Sequence, residues 1–142
     1  MPQNPLVALA VDYHRAVSAW ATGDELARFF HPDALHRELP NALFPDGAVR
    51  DLPGILAAAD RGREALKDQS FEVVNAVADG DRVALEVVWT GTLARPLGDL
   101  PEGHVLRAHI GTFLEFRDGL IVSQRNYDCY EGGAAARVSR SS

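Results

Sequence analysis

The sequence has a single cysteine, Cys129. No intramolecular disulfide can form, and cysteine-based zinc sites and CxxC redox chemistry are excluded with it. No apolar run approaches the roughly 18 residues of a membrane-spanning helix, and the N-terminus lacks a signal-peptide pattern. There is no basic excess: 14 Lys and Arg stand against 20 Asp and Glu, a formal charge of -6. Binding to a nucleic-acid backbone normally shows the opposite sign. No phosphate-binding glycine loop, dinucleotide fingerprint or Ser-His-Asp order is present, and there is no internal repeat. What remains is 142 residues, 46% apolar and 24% charged, the size and make-up of one globular domain. A cytoplasmic protein acting on a small molecule, without nucleic acid or membrane as partner, is the expectation.

Asn4 and Pro5 open a helix as cap and first residue. Leu9, Tyr13, Ala16, Val17 and Trp20 follow on one stripe, and Gly23 ends it. A second helix is predicted over Asp24–Phe30, stopped by His31-Pro32-Asp33. Ala34–Leu39 reads as a short strand. Pro40–Pro53 is a loop of unusual length, and such loops are often functional. Pro53 opens a third helix reaching about Asp68. The strands Ser70–Ala78, Arg82–Leu93, His104–Arg117 and Leu120–Tyr130 follow. Asp79-Gly80-Asp81 and Asp118-Gly119 turn the chain, and a Pro/Gly-rich loop spans Arg95–Gly103. One domain over residues 1–130 and a flexible tail over 131–142 are expected. Helices first and hairpins after imply an α+β fold, a curved sheet with the helices on its concave side. Alternation turns Val83, Leu85, Val87 and Trp89 inward on one strand, and Leu106, Ala108, Ile110, Thr112, Leu114 and Phe116 on the next.

Four short motifs point to a family: Gly23-Asp24, His31-Pro32-Asp33-Ala34, Phe116-Arg117-Asp118-Gly119-Leu120-Ile121 and Tyr127-Asp128. In their order and spacing the chain resembles the nuclear transport factor 2-like superfamily, and within it the SnoaL-like polyketide cyclase and ketosteroid isomerase branch. The resemblance covers residues 6–130, and it implies a cone-shaped curved sheet, antiparallel or mixed, wrapped around three N-terminal helices with a central pocket. It implies a general-base carboxylate at Glu38 and an acid/base aspartate at Asp128. It also implies a homodimer through the outer sheet face. The isomerases' tyrosine oxyanion donor falls at Ala16, with Tyr13 one turn earlier, and their second oxyanion group falls at Thr112.

The residues can be read beside that resemblance. Val122, Gln124, Asn126 and Asp128 share one face of the last strand. If that face lines the cone, three polar side chains point into an apolar cavity, where such groups are hydrogen-bonded or used. The plain alternative is a wet strand end at Asp128. His36 and Glu38 share a face of the first strand, an imidazole beside a carboxylate suited to acid/base work. A carboxylate in an apolar cone holds its proton more tightly than in water. A one-residue slip would turn this pair outward and bury Arg37 instead. His36, Glu38 and Asp128 could make a facial metal set, but nothing in their spacing is diagnostic, so no metal and no cofactor are expected.

Tyr13, Trp20 and Trp89 read first as core, and as pocket walls if the cone cannot fill itself. Leu43, Phe44, Leu97 and Leu100 are candidates for an apolar lid. Cys129 and His109 point away from the pocket. Glu86, Val88, His109, Phe113 and Tyr127 make a mixed outer patch suited to a two-fold contact. The chemistry expected is general acid/base catalysis by Asp128, Glu38 and His36 on an apolar carbonyl compound: cyclisation, isomerisation or dehydration. Tyr13, Trp20, Trp89, Thr112, Gln124 and Asn126 would bind the substrate. A non-catalytic binder using the same cavity, or an interaction module using the outer face, are the alternatives.

Overall fold

The computed structural model describes residues 4–132. The elements run α1 (Pro5–Ser18), α2 (Gly23–Ala27), β1 (Phe30–Glu38), β2 (Ala48–Asp51), α3 (Leu52–Ala65), β3 (Leu66–Asp79), β4 (Arg82–Leu93), β5 (Val105–Arg117) and β6 (Leu120–Tyr130). The six strands form one sheet in the order β2-β1-β6-β5-β4-β3. All neighbours are antiparallel except β1 and β6, which pair in parallel. The fold is α+β, a curved mixed sheet left open at β2 and β3, with the helices on its concave side. No helix among the described residues is long and apolar enough to cross a membrane.

α1 is capped as its sequence predicts. The Asn4 side chain accepts the Leu6 N–H at 2.9 Å, and Pro5 occupies the first helical position. Its buried face is Val7, Ala10, Tyr13 and His14; the expected Leu9, Ala16 and Val17 are only half-buried against the core. The helix ends before Gly23. Ala21 N–H bonds Ala16 O and Trp20 N–H bonds Val17 O, the paired bonds of a Schellman cap. Trp20 holds the left-handed position of that cap at φ 66°. Such a conformation costs a bulky L-residue about 1–2 kcal/mol.

Four boundaries differ from the sequence expectation. α2 stops at Ala27, and β1 begins at Phe30 rather than Ala34. Phe30 pairs with Ile121, and the ladder then breaks until Leu35. Pro32 has no N–H to give that ladder, so the chain bulges past it. The loop expected over 40–53 contains β2, and α3 follows directly. α3 ends at Ala65, and Leu66 already pairs with Leu93. The ladder to β4 overrides helical preference there.

The inward faces of β4 and β5 are those expected, from Val83 to Trp89 and from Leu106 to Phe116. On β6 a register shift separates the Glu115–Ser123 and Phe116–Ile121 pairs. Val122 is the extra residue, so Ile121 is buried in its place, 1% exposed. From Gln124 onward the even positions face inward as expected. Leu100, expected in a lid, is core instead, 1% exposed. The expected tail begins at Glu131, but this residue is held: its N–H bonds Arg107 O and its carboxylate pairs with Arg107 and His109. Residues 133–142 of that expectation lie outside the described residues.

Candidate functional site

A cavity of about 600 Å³ opens between the helices and the concave face of the sheet. Tyr13, Trp20, His36, Glu38, Trp89, Thr112, Gln124, Asn126 and Asp128 all line it. Leu26, Leu43, Phe44, Ile55, Leu97 and Ile110 supply much of its apolar wall. This is the usual make-up of a small-molecule site: an apolar wall and a few convergent polar groups.

The polar groups come from the middle of the sheet. His36 stands opposite Gln124, and Glu38 opposite Asn126, across the parallel β1–β6 pair. Asn126 stands opposite Thr112, and Asp128 opposite Ile110, across β5–β6. Two of these side chains, Gln124 and Asn126, form a directed chain with Tyr13. The Tyr13 hydroxyl donates to Gln124 Oε1 at 2.8 Å. Gln124 Nε2 donates to Asn126 Oδ1 at 3.2 Å. With its oxygen so engaged, Asn126 turns its Nδ2 donor group to the cavity. Burial pushes the Tyr13 hydroxyl up to about 12, so it stays a donor at neutral pH.

Glu38 is held by two residues outside the expected set. Arg50 Nη1 lies 3.2 Å from Glu38 Oε1, with both side chains nearly buried, 12% and 11% exposed. Asn41 Nδ2 donates to Glu38 Oε2 at 2.8 Å. Asn41 also folds the β1–β2 connection, accepting the Leu43 and Phe44 N–H groups. Gly47 closes that connection at φ 69°, where a Cβ would stand 2.6 Å from Glu38 O. Only glycine meets both conditions. Arg50 Nη1 also lies 3.4 Å from His36 Nδ1, so the expected His36–Glu38 pair is bridged by a guanidinium. Burial, and then the Arg50 charge, push the His36 imidazole down to about 4. It is neutral at pH 7, with Nδ1 accepting from Arg50 and the proton on Nε2.

Asp128 is the group without a partner. Its Oδ1 is buried, and among the described residues nothing bonds it. Burial, and then the Glu38 charge, push its carboxyl up to about 6. Tyr130 continues the same face of β6, and its ring meets Trp89 edge to face at 6.1 Å. Burial and the Asp128 and Glu38 charges raise its hydroxyl as well. Trp89 is anchored by Nε1–H donating to Gln69 Oε1 at 3.1 Å. Cys129 and His109 are exposed on the outer face, as alternation predicts.

Sequence reasoning missed Arg50, Asn41, Tyr130 and His14. Tyr130 was within reach of the alternation that found Asp128. His14 lies seven residues after Val7 on the buried face of α1. Arg50 carried a misleading signal: on β2 the apolar Val49 faces solvent, 69% exposed, while the arginine faces in to meet Glu38.

The sequence profile of the SnoaL-like domain matches residues 13–124. The chain belongs to this family. The match takes in every polar cavity residue except Asn126, Asp128 and Tyr130, which follow it directly on β6. No curated protein matches this SnoaL-like chain in sequence. Solved structures do match in fold. IdmH of Streptomyces antibioticus, named a candidate polyketide cyclase, superimposes with a TM-score of 0.73 at 24% identity, covering 88% of this chain and 92% of its own. AclR of Streptomyces galilaeus, named a candidate hydroxylase, gives 0.72 at 24% identity, covering 87% and 78%. A candidate polyketide cyclase of Acidithiobacillus ferrooxidans gives 0.73 at 20% identity, covering 100% and 99%.

Proposed function

We propose that this SnoaL-like chain is a general acid/base enzyme acting on an apolar carbonyl compound in the cavity, with proton transfer that uses side chains alone. The observation that supports this most is the buried, unpartnered Asp128 Oδ1. A carboxylate kept from water without a partner costs free energy, and one that titrates near 6 is poised for proton transfer at neutral pH. Asp128, ionised, takes a proton from the carbon next to the substrate carbonyl. The carbon–hydrogen electron pair becomes the enolate π bond, and negative charge moves to the carbonyl oxygen. Asn126 Nδ2–H, oriented through Tyr13 and Gln124, donates to that oxygen as charge develops. Asp128 then returns the proton at carbon or at oxygen. Closure of the enolate onto a second carbonyl is cyclisation; reprotonation elsewhere is isomerisation; expulsion of a β-hydroxyl is dehydration. Two of the structural neighbours carry the name polyketide cyclase, which makes cyclisation the first reaction to test.

Glu38, clamped by Arg50 and Asn41, acts in this reading through its charge, raising the proton affinity of Asp128. His36 stays a neutral donor at the same end. Trp20, Trp89 and Thr112 shape the wall against which the substrate packs.

The test is deuterium uptake from heavy water at the methyl group of methyl naphthyl ketone, read by mass spectrometry. Wild-type protein is expected to accelerate uptake. Asp128→Asn should lose on the order of 10²-fold or more of that acceleration. Undiminished uptake in the variant would remove Asp128 from the chemistry. Tight binding with no acceleration in either protein would make the chain a binder.

The outer face of the sheet supports a homodimer. Phe113 and Tyr127 stand edge to face there, ring centres 5.6 Å apart, at 42% and 47% exposure. Glu86 and His109 lie exposed on the same face and Val88 half-buried. Exposed aromatics beside charged groups are the mixture that interfaces use.

A further inference from the structure

The cavity has a second polar end that the proton transfer does not use. His14 on α1 is buried, 4% exposed, with its ring edge-on to Tyr13 at 5.1 Å and to Phe71 at 6.0 Å. Its Nδ1 lies 2.8 Å from Ala10 O. A carbonyl oxygen only accepts, so Nδ1 carries a proton. Burial lowers the pKa of the ring from its ordinary value, so the imidazole is neutral at neutral pH and its lone pair sits on Nε2. Among the described residues nothing donates to Nε2. Nor is Nε2 sealed in protein: His14 lines the cavity, and the sealed polar atom left without a partner is Asp128 Oδ1 instead. The polar neighbours on that side are engaged elsewhere. Gln69 Nε2 donates to Val17 O and Gln69 Oε1 accepts from Trp89, while the Tyr13 hydroxyl is given to Gln124.

We propose that His14 Nε2 is an acceptor subsite for a hydrogen-bond donor of the ligand, a hydroxyl or N–H, carried at the end remote from the reacting carbonyl. This rests on the proposed reading of the cavity as the place where Asp128 meets a carbonyl compound. The two groups face the cavity from different parts of the sheet. Phe71, beside His14, is on β3 and Asp128 is on β6, three strand spacings apart in the sheet, or about 14 Å around its curve. A ligand that reaches both is elongated, of the length of two or three fused rings. A ligand without the donor would displace water from Nε2 and leave the lone pair unmet, which weakens its binding. His14 is thereby a specificity-determining residue.

The test uses two pairs of probes: methyl naphthyl ketone with and without a hydroxyl on the ring far from the ketone, and the corresponding anthracene pair. Calorimetry on wild-type protein is expected to show the hydroxyl tightening binding about fivefold in the pair that spans the cavity. In His14→Phe that ratio should fall to one. In histidine-nitrogen NMR of the wild-type protein, the His14 Nε2 resonance should move upfield with the hydroxylated probe and stay with its partner. The NMR decides the matter even if the variant fails to fold. An Nε2 signal that answers both probes alike, or a hydroxyl preference that survives in His14→Phe, overturns the subsite. Asp128→Asn should lose deuterium uptake and keep the hydroxyl preference. Absence of uptake in wild-type protein with the preference intact would sink the proton-transfer reading alone.

Discussion

Asp128 places function and stability in opposition at a single residue. Its carboxyl titrates near 6 in the folded protein and near 3.9 in an unfolded chain. The folded state therefore binds the proton more tightly. Between those two values the unfolded chain has released its proton while the folded one retains it, so this group's contribution falls as pH rises through the window. Asp128→Asn is expected to stabilise the protein by about 2 kcal/mol at pH 7. The gain should fade toward pH 4, which paired thermal melts at the two pH values would show. The same titration sets the rate. Deuterium uptake should rise with pH and level off above about 6, as the base form of Asp128 fills. Glu38→Gln removes the charge that raises Asp128, so the rising limb should move to lower pH. The neighbouring pair behaves differently. Arg50→Ala leaves Glu38 nearly buried with Asn41 alone, and a loss of about 3 kcal/mol is expected by denaturant titration. Adding Glu38→Gln to that variant should recover part of the loss, because no buried charge is then left uncompensated.

At the scale of elements, the wall of the cavity depends on a missing side chain. Gly91 follows Trp89 on the inward face of β4, and a Cβ there would clash with the Trp89 ring. Gly91→Ala must displace the indole that walls the cavity. A destabilisation of about 1–3 kcal/mol is expected, with weaker binding of the naphthyl probes, measured by melts and calorimetry. The elements also differ in how well alternation alone reveals them. β4 and β5 each bury one whole face against the helices, so their pattern reads directly. β6 reads correctly from Gln124 to Asp128, but the extra residue at Val122 inverts the part before it, and one extra residue leaves no mark in composition. β2 is four residues long and carries its charge inward because Glu38 waits across the ladder. Its role exists only in the tertiary structure. The end of α3 is set in the same way by the demand of β4 for a partner at Leu66.

For the whole molecule, the family and the curved α+β architecture were legible from four short motifs and from the order of the elements. The parallel pairing of β1 with β6 was not, because it joins segments far apart in sequence and local patterning does not encode it. The assembly proposed for the outer face belongs to this scale. Wild-type protein is expected to sediment as a dimer at micromolar concentration, and Phe113→Glu should shift it to monomer without loss of helical or sheet signal. A wild-type monomer would refute it.

The β1–β6 pairing has a consequence in time. Protein synthesis is vectorial, so β1 leaves the ribosome early and, beyond its local partner β2, waits with its long-range neighbour β6 not yet made. The hairpins β3–β4, β4–β5 and β5–β6 close between segments near in sequence and can form as they emerge, whereas β1 must wait for the strand that carries Asp128. Glu38 and Asp128 therefore meet only when the last strand docks, so no nascent fragment short of β6 holds the assembled pair.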